Sequence, residues 1–159
     1  MDSFIAARAL HVLSIVFWIG GVAMVTTILL PSIRQFKSAE ERVIFFEQVE
    51  GRFALQSRIT TLLAGVSGFY LVHALNAWDR FGQAEYWWMT MMVIVWFIFT
   101  MMLFVLEPLF LHKLFIRKAQ AQPEKTFSTI QKMHWLLLTI SLVTVAGAVA
   151  GSHGWIYFS

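Results

Sequence analysis

The chain of 159 residues contains no cysteine. That excludes disulfides, thiolate metal sites, iron–sulfur clusters and thioether-attached haem. Charge is the second scarcity. Asp, Glu, Lys and Arg make up 13% of the chain, against roughly 25% in ordinary soluble domains. Hydrophobic residues reach 58%. The net charge of +3 gives no nucleic-acid surface, because the basic residues lie in short connections between apolar runs. A cleavable secretory signal is not expected: the first apolar run is too long for one, and Asp2 stands where a basic cluster would be.

What the chain has in quantity is uncharged sequence. The runs 9–30, 59–78, 86–106 and 133–159 hold no Asp, Glu, Lys or Arg. Each reaches the ~20 residues needed to cross about 30 Å of hydrocarbon. The expectation is an all-α integral membrane protein, one domain over 1–159, built as an antiparallel bundle of four transmembrane helices at about 5–30, 57–78, 86–112 and 130–156. Arg34, Lys37, Arg42, Arg52 and Arg58 fall between the first two runs, and Lys113, Arg117, Lys118, Lys125 and Lys132 between the last two, leaving Arg8 and Arg80 for the other side. That asymmetry places the basic loops in the cytoplasm and both termini in the periplasm of a bacterial inner membrane.

The first basic loop carries Ser38-Ala-Glu-Glu41, the pattern of a capping box. Val43, Phe46, Val49 and Phe53 follow at helical spacing, so 39–55 reads as a cytoplasmic amphipathic helix, lying on the membrane or extending the second span. Gln122-Pro123-Glu124 marks a turn before the last span. Trp78, Trp87, Trp88, Trp155 and Tyr157 gather at the outer boundary as an interfacial belt. The small residues Gly147 and Gly151 allow close helix contact, within the bundle or in a homodimer.

Ionisable side chains inside such runs mark candidate sites, because lipid makes them costly. His11, Ser14, Trp18 and Gly21 fall within about 80° on one helix face, with Arg8 a turn earlier. His73 lies near the outer end of the second run, so both histidines are expected about 8–10 Å below the outer boundary. Two such imidazoles suit the axial positions of one haem b. Gly20-Gly21, Gly65 and Gly68 would thin the helices for a flat macrocycle, Trp18 and Phe69 would wall it, and Arg8 would meet a propionate. His112 and His134 near the inner face are candidates for a second haem, and His153 for an alternative ligand, a propionate contact or an interfacial residue. Glu107, beside Pro108, is expected to pair with Arg34 or Arg58, or to handle protons. The methionines Met89, Met91, Met92, Met101 and Met102 share no stripe, which favours packing over a copper relay.

The run Arg8-Ala-Leu-His11-Val-Leu-Ser14-Ile-Val-Phe-Trp18-Ile-Gly20-Gly21 resembles the first span of the copper-resistance-protein-D-like membrane proteins. It is also similar to the opening of the HemJ-type protoporphyrinogen oxidases. The likeness continues more loosely through Phe46-Glu47, Gly51-Arg52-Phe53, Thr60-Thr61 and Gly65, and covers the second half only by layout. The resemblance implies a small haem-b membrane protein with its histidine at position 11, exchanging electrons with a quinol, porphyrinogen or partner cytochrome. Copper uptake and a non-catalytic place in a larger respiratory complex are the other roles it leaves open. The aromatic end Gly154-Trp155-Ile156-Tyr157-Phe158 departs from the basic tail of the HemJ type.

Overall fold

The computed structural model describes residues 2–33, 35 and 38–155. Every regular element among them is helical. Four long helices follow one another: α1 (Asp2–Ile33), α2 (Ala39–Ala74), α3 (Ala84–Ala121) and α4 (Pro123–Ser152). α1, α3 and α4 are each long and apolar enough to cross a membrane. Large apolar side chains such as Leu13, Phe17, Phe97, Leu136 and Val143 stand exposed on their outer faces, where a bilayer rather than water would receive them.

α2 begins where the sequence predicts. Ser38 Oγ accepts the Glu41 N–H at 3.1 Å, and Glu41 Oε2 accepts the Ser38 N–H at 3.3 Å, which serves backbone donors the first turn cannot. The amphipathic stretch then runs without a break into the apolar one, giving a single helix of 36 residues. Of the two expected arrangements, the structure adopts the extension. α2 stops at a Schellman turn: Asn76 takes φ +48°, its N–H meets the His73 carbonyl at 3.0 Å, and the Ala77 N–H meets Val72 at 2.9 Å. That end falls four residues short of the apolar run, and it changes where His73 lies.

Two π-helical stretches widen the bundle, Val25–Leu29 in α1 and Met102–Leu111 in α3. Each has a proline nearby, Pro31 just beyond the first and Pro108 inside the second. A proline supplies no N–H and its ring crowds the preceding turn, so the hydrogen-bond ladder slips from four-residue to five-residue spacing. In α1 the Thr26 and Thr27 hydroxyls also take the Val22 and Ala23 carbonyls, at 2.7 and 2.8 Å, which further loosens the ladder.

α1 and α2 lie antiparallel along most of their length. Gln56 Nε2 donates to the Phe17 carbonyl at 3.4 Å, and Tyr70 meets Ser3 at 3.2 Å. The same register sets the Phe53 ring against Gly21. The core is distributed along the bundle. Ile33, Phe46, Ala119 and Phe127 fill the basic end, Trp18, Val22, Ala64, Phe99 and Leu138 the middle, and Ala77, Trp88 and Met89 the aromatic end. The expected interfacial belt is therefore only partly a belt. Trp78 and Trp155 are exposed, but Trp88 is buried against Gly151 and Trp87 lies on Gly147. The small-residue seam of α4 is thus filled from within the chain. Tyr157 lies outside the described residues.

Candidate functional site

The structure does not bring His11 and His73 to a common centre. His11 Nδ1–H donates to the Ala64 carbonyl at 2.9 Å and lies 3.2 Å from Ser67 Oγ. His73 lies six to nine residues further along α2, roughly 9–14 Å beyond that level, and about 120° or more around the helix from those residues. Its side chain is exposed. The depth match assumed that α2 continued to 78; the turn at Asn76 removes it. Of the glycines that would thin the helices, Gly65 is covered by the Trp96 indole, Gly68 by the His11 ring itself and Gly21 by the Phe53 ring, while Gly20 is open. Arg8 is exposed. Trp18 is 2% exposed and packs edge-on against Phe99, with ring centroids 5.0 Å apart. The residues present at that level do not fit a haem held by His11 and His73.

The space lies at the other end. A cavity of about 820 Å³ opens between the charged half of α2, the π-helical part of α3 and the start of α4. Drug- and cofactor-sized sites occupy about 300–1,000 Å³. Its walls are Phe46, Phe53, Phe99, Met102 and Met133, its polar groups Glu50, Glu107, His112 and His134, and its rim Arg117, Lys118 and Lys125. His112, His134 and Glu107 therefore share one chamber.

The chemistry of this chamber follows from Pro108. In five-residue register the N–H at position 108 would serve the Leu103 carbonyl, and proline has none. Arg58 Nε–H serves it instead at 3.1 Å, while the other arm of the guanidinium pairs with Glu107 Oε2 at 2.5 Å. One arginine thus caps a stranded carbonyl and neutralises the carboxylate beside it. Of the two partners expected for Glu107, the structure selects Arg58; Arg34 lies outside the described residues.

Glu50, on the charged half of α2, was not singled out by sequence. Burial pushes its carboxyl above the usual range, and the Glu107 charge pushes the same way, partly offset by His112 and Arg58. The signal that could have found it is the stripe Glu50, Ser57, Thr61, at spacings of seven and four on one face. His112 is half exposed and lies 3.8 Å from Glu47. His134 is half-buried, and its Nδ1–H donates to the Ile130 carbonyl at 2.9 Å. A carbonyl only accepts, so Nδ1 carries the proton and Nε2 keeps its lone pair, the tautomer that a metal-ligating imidazole needs. His153 makes the same bond to Val149 at 2.8 Å but is exposed at the end of α4.

Comparisons of the chain with family models, curated proteins and solved structures find no match.

Proposed function

We propose that this is a bacterial inner-membrane redox protein whose cavity at the basic end binds haem b. The observation that carries the reading is the lining of that cavity. It combines an apolar, aromatic interior with a half-buried imidazole in ligand tautomer and a rim of three basic side chains. Those are the needs of a flat apolar ring bearing anionic arms. His134 Nε2 would hold the haem iron, with His112 in the same lining, and Arg117, Lys118 and Lys125 would meet the propionates. Haem so held would supply one-electron chemistry toward a quinol or porphyrinogen-type partner. Arg58 fixes the Glu107 carboxylate at the wall, and Glu50 offers a second carboxyl that holds its proton more tightly than usual.

The membrane arrangement belongs to the same proposal. Beyond Arg58, α2 is uncharged to its end and presents Leu62, Val66, Phe69 and Tyr70 outward. It serves as a fourth crossing, with the basic end and its cavity cytoplasmic and both termini periplasmic. The test is an absorption spectrum of detergent-purified protein, as isolated and after haem titration. The expected result is a Soret band that His134→Ala abolishes and His73→Ala leaves unchanged. A band indifferent to His134→Ala, or a colourless protein that takes up no haem, overturns the reading.

A further inference from the structure

Three buried polar side-chain atoms have no hydrogen-bond partner among the described residues: Trp18 Nε1, Ser57 Oγ and Thr61 Oγ1. Their residues are 2%, 1% and 0% exposed. Leaving such a group without a partner is costly, and buried groups of this kind that no protein atom serves are met by ordered water. Three in one place require a common explanation.

They are in one place. The antiparallel contacts of α1 and α2 pair Ser3 with Tyr70, Phe17 with Gln56 and Gly21 with Phe53. The same register sets Trp18 opposite Ser57 and Ser14 opposite Thr61. On α2, Glu50, Ser57, Thr61 and Gly68 fall within about 40° of one another, and the stripe is about 27 Å long. At one end of it Glu50 and Ser57 line the cavity. At the other, the His11 ring lies against Gly68. Since His11 Nδ1–H is committed to the Ala64 carbonyl, its Nε2 is left to accept. Ala54 and Ala64, both buried beside the stripe, add no polar side chain that would close it.

We propose that α1 and α2 enclose a file of ordered water through which protons pass between the cavity and His11. Trp18 Nε1–H, Ser57 Oγ and Thr61 Oγ1 are its protein partners. The file shares its cavity with the function proposed above but does not need the guest.

The structure supplies an internal standard for the test. Trp96 Nε1–H donates to the Thr61 carbonyl at 2.9 Å, so one indole at this level is bonded to protein and the other is not. Full-length protein labelled with 15N-tryptophan is placed in lipid nanodiscs, without haem and with added haem, and indole N–H exchange is followed by NMR after transfer to D2O. Although Trp18 is the more deeply buried ring, its indole is expected to exchange at least tenfold faster than that of Trp96. Thr61→Val, which keeps the shape and loses the hydroxyl, is expected to slow Trp18 about tenfold, while Thr61→Ser keeps the wild-type rate. An unmoved Trp96 signal reports an intact fold. A Trp18 indole in wild-type protein that is as protected as Trp96 overturns the proposal, and so does identical exchange in the two Thr61 variants. Fast exchange in a protein that takes up no haem removes the haem reading alone.

Discussion

Arg58→Met tests whether Pro108 is the reason for the polar chemistry at the basic end. The substitution removes two interactions at once, the pair with Glu107 and the bond to the Leu103 carbonyl. Breaking a fully buried ion pair costs about 3–5 kcal/mol. The Arg58 and Glu107 side chains are 33% and 23% exposed, and solvent screening reduces that to about 1–3 kcal/mol. The stranded carbonyl adds about 1 kcal/mol, so the total is about 2–4 kcal/mol. Glu107→Gln, which leaves the Leu103 bond in place, should cost less than Arg58→Met. The decisive step is the second substitution. Pro108→Ala restores an N–H at position 108, so Arg58→Met in that background should cost about 1 kcal/mol less than in the wild type. The assay is reversible unfolding in mixed detergent micelles, followed by circular dichroism for the four proteins of the cycle. Strict additivity of the two substitutions refutes the argument that Arg58 compensates for the missing proline donor.

Two further outcomes follow from the same structure. The Glu50 carboxyl is raised by burial first and by Glu107 second, so the folded state holds this proton more tightly than the unfolded chain. The stability it contributes is complete below the ordinary carboxylate range and is lost as pH rises through the raised value. Glu50→Gln should therefore flatten the thermal midpoint against pH across that window and raise it at neutral pH; an unchanged slope counts against the burial. The glycines separate by what faces them. A Cβ at Gly151 would collide with the Trp88 ring, whereas one at Gly20 meets nothing within 4 Å. Gly151→Ala should cost about 1–3 kcal/mol, and Gly20→Ala should gain about 0.5–1 kcal/mol from helix propensity, both read by the same unfolding assay.

Much of the helical layout was legible in the sequence because its signals are local. The Ser38 box and the turn at Gln122-Pro123-Glu124 each act within a few residues, and three of the four uncharged runs lie in helices long and apolar enough to cross a membrane. The pairing of Glu107 with Arg58 was legible because a carboxylate at the end of an apolar run has few cations within reach. What was not legible depended on register. A stop at Asn76 rather than at 78 moves His73 out of the plane of His11, and no hydropathy pattern distinguishes a helix end from an apolar turn. Trp88 shows the same limit. Its composition suits an interface, and only the Gly151 groove on a helix sixty residues away makes it core. Glu50 was passed over because an acidic residue in an amphipathic helix ordinarily faces water.

The two ends of the bundle reach opposite solutions to the same packing problem. At the aromatic end and in the middle, indole rings occupy the hollows that glycine leaves, Trp87 and Trp88 against α4 and, further in, Trp96 against α2. Volume there is spent on ring contacts, and little remains for a guest. At the basic end, Pro31 and Pro108 interrupt the ladders of α1 and α3, and the π-helical turns that result push side chains off the close-packed positions. The cavity is lined by Val25 from the first of those turns and by Met102, Leu103 and Glu107 from the second. The irregularity that opens the space also frees the Leu103 carbonyl, which draws in Arg58, which in turn holds Glu107. Volume and polarity at this end therefore share one cause.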